Sequence, residues 1–428
     1  MWVAVSVAYF AAAHLTDRTD HFWLAVELVV LFAAYFWLAV NLPVLSSGYV
    51  RVLLAAGFMY RLLTVTSFPS WSDDVYRFLW DARIGLIGAD PFAYTPAMAM
   101  QQLPLPEAER LFPLLNNHHS YSTYPPMVQS LSMAAVAVAG GNGFGLEILL
   151  LRIPVLISEC LSVWLLADLL AHMGRSRRLI LLYALNPLVI LELTANLHHE
   201  SYVVLFLLLM LWLIRRGRAL PAAVALSLAA GVKLLPLIHL PALIARWPRT
   251  TALWMALITG VCTLLLVFPL ASAGWDDGLG LYFQRFEFNP SLWAVVREFG
   301  RWVVGFNIIG YAGTALALTG AAAILIRSWR TPMSLSQPEG FLPFVRLMAW
   351  NLLIYLLCST TVHPWYVVPL VPLGILAGMR WPLVWSGLIT ITYFGYTDSG
   401  YDHASWIGWT EYGLLALWMW WEHRESPV

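Results

Sequence analysis

Long apolar runs separated by short polar segments dominate the chain. Blocks such as FWLAVELVVLFAAYFWLAV (22–40) and WMALITGVCTLLLVFPL (254–270) are long enough, or nearly long enough, to cross a bilayer. Backbone polar groups in lipid must be paired within a helix or a closed barrel, and runs of this length predict helices. The pattern therefore predicts an all-α polytopic membrane protein, in which residues 1–428 form one integral membrane domain of roughly 11–14 spans.

The composition agrees with this pattern and excludes other classes of protein. Hydrophobic residues make up 60% of the chain and charged residues only 11%, whereas soluble domains carry about a quarter charged residues. The formal net charge is zero and the chain has no long basic run, which argues against a nucleic-acid partner. The three cysteines each lie in an apolar run, so neither a disulfide framework nor a metal-binding pair is predicted.

Arginine clusters predict which loops face the cytoplasm. They lie at 175–178, 215–218, 246–249 and 327–330 and in the terminal EHRESPV. The apolar segments between consecutive clusters come in even numbers, so every cluster can lie on the cytoplasmic side, as positively charged short loops do. Segment 126–139 is short for a span and is predicted to be partial or re-entrant. Three apolar segments before residue 67 then place the N-terminus, like the C-terminus, in the cytoplasm.

The opposite, outer face collects most of the other polar residues. The topology places two loops there, 67–125 with interfacial helices and 274–304. Lys233 faces the same side. Histidines, carboxylates and aromatic residues reach this face in the segments NNHHSYSTYPP, NLHHES, VHPWY and TDSGYDHASW. We predict an active site at this outer boundary, because side chains with different chemistry converge there from distant parts of the chain.

The segment WSDDVYRFLWDAR (71–83) holds five charged residues among thirteen. On a helix, Asp74, Arg77 and Asp81 share one face, and Asp73 also reaches Arg77. One interpretation is an interfacial helix with internal ion pairs, tryptophan anchors and its apolar residues in lipid. The other is part of a catalytic loop, which the doubled aspartate beside ADPFAYTP and YSTYPP favours.

Several motifs resemble the GT-C glycosyltransferases, which are integral membrane enzymes that use polyprenyl-phosphate-linked sugars. The segment SDDVYRFLWDARIGLIGADPFAYTP, followed by YPPMVQ, is similar to their first outer loop. Asp73, Tyr76 and Asp81 keep the spacing found in the eukaryotic GPI mannosyltransferase I, and bacterial mannosyltransferase-like members are similar as well. The second aspartate of the family's Asp-x-Asp is Val75 here, with Asp74 beside Asp73, so the choice between the two aspartates stays open.

Three later segments extend the resemblance to about residue 372. NPLVILELTANLHHES resembles the family's Asn-Pro helix with its Glu-Ser turn. VKLLPLIHLP resembles the family's Lys-x-x-Pro segment, and VHPWYVVPLVPL resembles the late His/aromatic segment before a Pro-rich helix. The resemblance implies a GT-C-like helical bundle in a bacterial inner membrane, with its active site facing the periplasm.

The resemblance also implies a reaction: a sugar, such as the hexose mannose, moves from a polyprenyl-phosphate donor to a hydroxyl acceptor on the non-cytoplasmic face. Because a glycosyl phosphate already carries a good leaving group, transfer with inversion needs one base and no strong acid. Cationic side chains must hold the phosphate as negative charge builds on it. A glycosidase would instead need two carboxylates flanking the bond.

These requirements assign roles to the polar residues of the outer face. Asp73 is the candidate base by the family spacing, with Asp74 as the close alternative. Arg77, Arg83 and above all Lys233 are candidates for the lipid phosphate, because a lysine in so apolar a run is unfavourable unless it is paired. Further candidates for substrate binding are Asp81, His118, His119, Tyr124, His199, Glu200, His363, Trp365 and Tyr366.

Several of these residues also have an ordinary structural interpretation. His118 and His119 fit a plain loop, and His363 fits a helix end flanked by aromatic anchors. The aromatic residues beside His363 fit either stacking on a sugar or anchoring at the membrane boundary. The adjacent histidines of NLHHES lack helical metal-ligand spacing. No metal is assigned and no cofactor is required, although an aspartate pair can bind a divalent ion.

Two other functions are consistent with the sequence. One is a lipid-linked-sugar flippase or transporter without transferase activity, and the other is a non-catalytic assembly subunit. Transporters usually show internal repeats and charges at mid-membrane, whereas this chain shows no repeat and its charges gather toward one face. The sequence leaves the donor sugar open and allows a lipid, a glycan or a protein as the acceptor.

Overall fold

The computed structural model describes residues 1–268, 286–331, 334–335, 337–398 and 400–425. Within these ranges it is mostly helical, with one short hairpin and an isolated bridge between Phe288 and Thr361, which confirms the predicted all-α polytopic class. Five of the described helices are long and apolar enough to cross a membrane: His21–Val44, Phe144–His172, Arg249–Val267, Ile309–Arg330 and Phe341–Cys358. Shorter apolar helices are Trp2–His14, Pro126–Ala139, Ala219–Val232, Leu235–Ile244 and Pro364–Ala377. The total of 11–14 spans stays a prediction.

The remaining elements connect or extend these helices. Further α-helices are Ser47–Leu63, Asp74–Leu86, Pro96–Gln102, Ala108–Leu111, Glu200–Arg215, Leu292–Val304, Trp381–Leu388 and Ser405–Glu425. Single 3-10 turns lie at Phe112–Leu114 and Pro338–Gly340, and a longer one lies at Ile389–Gly395. The hairpin pairs strands Tyr396–Thr397 and Gly400–Tyr401 in antiparallel register, with Tyr396 opposite Tyr401.

One apolar segment is broken in the middle. Its two halves, Arg177–Ala184 and Pro187–Ala195, meet at a bend of 54°. Pro187 has no backbone N–H to continue the first helix, and the side chain of Asn186 caps the second one by accepting a backbone hydrogen bond at 3.3 Å. The second half widens into a π-helix at Ile190–Ala195, a form that is frequent at functional sites. It leads directly into the turn that carries two histidines and Glu200.

Charged groups inside the apolar bundle are paired or hydrogen-bonded. Arg61 and Glu159 form a buried ion pair at 2.8 Å, and the hydroxyl of Tyr183 donates to the same carboxylate at 2.6 Å. Arg152, only 1% exposed, donates from Nε to the carbonyl oxygen of Thr194 at 2.8 Å and also binds the next carbonyl. Such pairing is what ionisable groups require among apolar helices. Arg152 thereby fixes the end of the π-helix.

The helix predicted over the acidic segment is present as Asp74–Leu86, with an acidic residue in its first turn and Arg83 in its last. This charge order favours the helix dipole. The interpretation of an interfacial helix with apolar residues in lipid is wrong, because the protein itself covers them. These residues are at most 3% exposed and belong to the main core: Val75, Phe78, Leu79 and Ala82. The helix packs against Pro126–Ala139.

Two loop predictions have separate outcomes. Segment 126–139 is one helix, Pro126–Ala139, that ends at Gly140 in the left-handed conformation with φ of 58°. Its partial or re-entrant placement stays a prediction. Of the loop 274–304, residues 274–285 lie outside the described residues, and the rest contains the helix Leu292–Val304.

Candidate active site

A cavity of about 550 Å³ lies where the loop 67–125 meets the ends of several helices. It is lined by residues from distant parts of the chain, including the turns at 198–200 and 232–235 and the segment around His363. Most of the candidate residues line it: Asp73, Asp74, Arg77, Tyr124, His199, Glu200, Lys233, His363, Trp365 and Tyr366. Carboxylate, cationic and aromatic side chains therefore share one cavity.

Asp73 is held by an arginine from the turn of the N-terminal helical hairpin, which the helices Trp2–His14 and His21–Val44 form. Oδ2 of Asp73 accepts a hydrogen bond at 2.5 Å from Nη2 of Arg18, and the side chains are 30% and 22% exposed. The guanidinium of Arg18 lies over the ring of Tyr396, 4.5 Å from its centre. A charge-assisted bond of this length fixes the orientation of the Asp73 carboxylate.

Asp74 faces the cavity with longer contacts. Nδ2 of Asn116 lies 3.5 Å from Oδ1, and Nε2 of His198 lies 3.9 Å from Oδ2. Burial raises the pKa of the Asp74 carboxyl, while the nearby His198 and a hydrogen bond from Tyr124 oppose that rise. A carboxylate with a raised pKa and a side chain 16% exposed is suited to accept a proton.

Arg77 links the acidic helix to the following loop. Its Nε donates to Oδ1 of Asp81 at 2.8 Å, and its Nη1 donates to the carbonyl oxygen of Ser120 at 3.0 Å. The other oxygen of Asp81 accepts from Ser122 at 2.5 Å, so Asp81 supports Arg77 from behind the cavity wall. Nη2 of Arg77 has no hydrogen-bond partner among the described residues, and the side chain lines the cavity.

Lys233, the only lysine in the sequence, follows the helix Ala219–Val232. Its Nζ donates to Oε1 of Glu200 at 2.6 Å and lies 3.3 Å from the ring centre of Tyr366. Burial lowers the pKa of Lys233, while the carboxylate of Glu200 acts in the opposite direction. The cation is thus paired, as its apolar surroundings require.

His198 is a cavity residue to which the sequence analysis gave no role. It is 1% exposed, and its Nδ1 donates to the backbone oxygen of Glu192 at 3.0 Å. Its Nε2 lies 3.2 Å from Oγ of Ser72. The preceding residue, Leu197, has a positive φ of 61°, which costs a leucine about 1–3 kcal/mol. The chain maintains this strained turn where it directs two histidines toward the cavity.

Aromatic rings form a stack along one wall. The Trp365 ring lies between His198, with centroids 3.6 Å apart, and His363, with centroids 4.4 Å apart. His363 in turn stacks on Phe288 at 4.2 Å. Because both faces of Trp365 are covered by histidines, stacking of a sugar on this ring is sterically blocked. Burial lowers the pKa of His363 well below its usual value.

Arg83 lies away from the cavity despite its predicted part in phosphate binding. Its Nη2 donates to Glu147 at 2.8 Å and to Glu107 at 3.1 Å, and its Nη1 donates to the carbonyl oxygen of Leu79. The side chain is 4% exposed. These bonds tie the acidic helix to neighbouring segments and orient the guanidinium away from the cavity lining.

The other candidate histidines differ in position. His118 stacks on Phe112 at 4.1 Å, and its Nε2 lies 2.9 Å from the Phe112 carbonyl oxygen, away from the cavity lining. His119 is exposed in the loop. His199 does line the cavity, and its ring meets the edge of Phe78 at 4.3 Å. Burial lowers the pKa of His199 to about 3, so its imidazole is neutral.

Further cavity residues were not candidates in the sequence analysis, among them Arg18, Asn116 and Tyr396. Arg18 stands 55 positions before Asp73, and no local spacing connects the two. The single available signal was a charged cluster, TDRTD, between two apolar runs. Among the described residues, no group of three or more His, Cys, Asp or Glu side chains is arranged to hold a metal ion.

Several membrane-crossing helices with one charged cavity at their ends define a polytopic membrane protein with a candidate active site. The family model described as "Alpha-(1->6)-mannopyranosyltransferase, N-terminal domain" matches residues 3–249, more than half of the chain. The chain therefore belongs to the alpha-(1->6)-mannopyranosyltransferase family, and the resemblance to GT-C mannosyltransferases is confirmed.

Two curated relatives come from Mycobacterium tuberculosis. The chain is 27% identical over 227 residues to Alpha-(1->6)-mannopyranosyltransferase A, an alignment covering 50% of this chain and 42% of that protein. It is 26% identical over 412 residues to Alpha-(1->6)-mannopyranosyltransferase Rv1459c, covering 78% of this chain and 67% of that protein. The chain thus spans less than half the length of the first relative. No solved structure matches it.

Proposed function

We propose that the protein is a mannosyltransferase that moves mannose from a polyprenyl-phosphate donor to a hydroxyl of a mannoside acceptor on the non-cytoplasmic side. The family and the names of its relatives support the sugar and an α-(1→6) product. The single observation that carries the proposal is one cavity lined by Asp74, Arg77 and Lys233, which supplies a base and two cations at the ends of membrane helices.

Asp74 is the base in this proposal. It accepts the proton of the acceptor hydroxyl while the acceptor oxygen attacks the anomeric carbon and the bond to the phosphate oxygen breaks. One displacement inverts the anomeric centre, so an α-linked product requires a β-linked donor. Asp73, which the family spacing favours, is already neutralised by Arg18 at 2.5 Å, and this ion pair supports a role in orienting the acidic turn.

Arg77 and Lys233 bind the lipid phosphate. Nη2 of Arg77 has no hydrogen-bond partner among the described residues, whereas Lys233 is released for phosphate when its bond to Glu200 is exchanged. Negative charge grows on the phosphate as the bond breaks, so these cations stabilise the transition state more than the bound donor. Arg83 has no part in this step, because its carboxylate partners already bind it.

The test is a transfer assay with purified protein in liposomes. The donor is β-linked polyprenyl phosphomannose with labelled mannose, and the acceptor is a synthetic α-mannoside. We expect a labelled α-(1→6) product, and we expect Asp74→Asn to slow its formation by about 10²–10⁴-fold, the range for loss of a general base. Asp73→Asn should have a smaller effect than Asp74→Asn.

Two controls separate this proposal from its alternatives. An α-linked donor should give no α-(1→6) product, because inversion at its anomeric centre could form only a β-linkage. A quenching assay that follows labelled donor across the bilayer detects a flippase. Donor crossing without any product, or equal product from wild type and both aspartate variants, would contradict the proposed function.

A further inference from the structure

His198 and Glu192 form a buried pair beside the proposed base. Nδ1 of His198 lies 3.0 Å from the backbone oxygen of Glu192 and 3.1 Å from Oε2 of its side chain. Because both of these atoms are acceptors, Nδ1 carries a proton. The charge of His198 is therefore decided at Nε2, which faces Oγ of Ser72 at 3.2 Å and Oδ2 of Asp74 at 3.9 Å.

The surroundings of His198 favour the protonated ring. The Glu192 side chain is 1% exposed, and its other oxygen accepts a hydrogen bond from Tyr393. The face of Trp365 lies 3.6 Å from the imidazole centre, a position that stabilises a cation. Burial by itself would lower the pKa of His198, but Glu192 and the carboxylates of the cavity raise it above its usual value.

Other charged and titratable groups face this pair from several elements. Those acting on Asp74 or His198 are Asp73, Glu200, Tyr124, Tyr396, His199, Lys233 and His363. Asp73 and Glu200 have cationic partners of their own, Arg18 and Lys233. Among the described residues, Asp74 has no cationic partner at hydrogen-bond distance, and His198 is the ionisable group that lies within salt-bridge range of it, at 3.9 Å.

We propose that protonated His198, held by Glu192, is a positioning residue that keeps Asp74 ionised and directed into the cavity before transfer. This inference rests on the proposed function. In the transfer step the acceptor O–H bond breaks, its oxygen bonds to the anomeric carbon, and the leaving phosphate oxygen takes the electron pair. The released proton goes to Asp74, while His198 keeps its own proton throughout.

The test measures kcat/KM against pH for wild type and His198→Gln. Asp74 acts when deprotonated, so activity falls as the pH drops through its pKa. We call this fall in kcat/KM at low pH the acid limb. Loss of an opposite charge at 3.9 Å should move the acid limb to higher pH by about one pH unit or more. The activity lost near neutrality should therefore return as the pH is raised. A drop by one constant factor at every pH would overturn the inference.

Glu192→Gln provides a second variant that acts through His198. If Glu192 acted directly on Asp74, removing its negative charge would lower the pKa of Asp74 and move the acid limb to lower pH. If Glu192 instead maintains the charge of His198, the limb moves up, as in His198→Gln. The double variant should then match His198→Gln alone. A downward shift in Glu192→Gln, or an additive shift in the double variant, would contradict the proposed pair.

A matched control uses another histidine–carboxylate pair. His172 lies 3.3 Å from Asp168 at the end of the long helix Phe144–His172, and neither residue lines the cavity. His172→Gln should leave both the rate and the acid limb unchanged. Absence of product with wild-type protein would reject the proposed function, whereas wild-type product without the limb shift would reject only the role of His198.

Discussion

The carboxylates of Asp73 and Asp74 are neighbours in the sequence but face different cations. Asp73 is bonded to Arg18 at 2.5 Å, while Asp74 faces the imidazole of His198 at 3.9 Å. A tight ion pair occupies a carboxylate oxygen and fixes the side chain, so Asp73 is less available to an acceptor hydroxyl. The longer contact with His198 leaves Asp74 free to take up a proton, and for this reason we propose Asp74 as the base.

At the same scale, the lowered pKa of Lys233 predicts how activity ends at high pH. In the proposed function the protonated amine binds phosphate, so raising the pH through its pKa should remove the cation and lower kcat/KM. Because burial lowers the pKa of Lys233, this fall in kcat/KM should begin at a lower pH than the usual pKa of a lysine implies. The arginine of Lys233→Arg keeps its charge to much higher pH than a lysine, so the fall in kcat/KM should move to higher pH in rate measurements with that variant. An unchanged fall in kcat/KM would show that a different group controls it.

Glycines in one helix show how closely the elements pack. Gly57, in the helix Ser47–Leu63, faces the backbone oxygen of Ala184 across the contact with the broken segment, and an added Cβ would lie 2.7 Å from that oxygen. At Gly48, in the first turn of the same helix, the nearest atom to an added Cβ would be Oγ of Ser46, at 4.0 Å. The two glycines therefore form a matched pair for testing this contact.

Gly57→Ala should lower the free energy of unfolding by about 1–3 kcal/mol, because the backbone oxygen of Ala184 can yield only if the helices separate. Gly48→Ala should change it by no more than about 0.5 kcal/mol. Thermal unfolding in detergent compares the two midpoints. Equal midpoints for the two variants would mean that the helix does not pack closely on the broken segment.

Elements with clear ends could be predicted from the sequence, and elements without them could not. The helix Pro126–Ala139 has its predicted bounds because prolines precede it and glycines follow it. Asn186 and Pro187 mark a break, but the size of the 54° bend and the π-helix at Ile190–Ala195 have no comparable signal, since the flanking residues form one apolar run. Their geometry depends on tertiary partners such as Arg152, which binds the carbonyls where the π-helix ends.

Over the whole molecule, convergence of the charged segments was predictable but the pairing of their side chains was not. Lys233 and the two aspartates stood out as charges in an apolar sequence, and all three line the cavity. His198 and Ser72 are 126 positions apart, so their contact depends on how distant helices pack. The same holds for Arg18, which comes from the N-terminal hairpin.

The arginine pattern makes a topological prediction at this scale. We expect His119 on the non-cytoplasmic side and Ser176, inside a basic cluster, on the cytoplasmic side. Both residues are exposed. In a background without the three native cysteines, His119→Cys should react with a membrane-impermeant maleimide on intact spheroplasts, and Ser176→Cys only after permeabilisation. Labelling of both cysteines from the same side would refute this topology.

In the proposed function, one cavity brings a lipid phosphate to Arg77 and Lys233 with Asp74 beside it. A cryo-EM structure of the protein with bound polyprenyl phosphate tests this most directly. We expect phosphate oxygens at about 3 Å from Nη2 of Arg77 and from Nζ of Lys233, the distance of charge-assisted hydrogen bonds. We also expect the Asp74 carboxylate to face the same space. A phosphate bound outside the cavity, with Asp74 remote from it, would contradict the account.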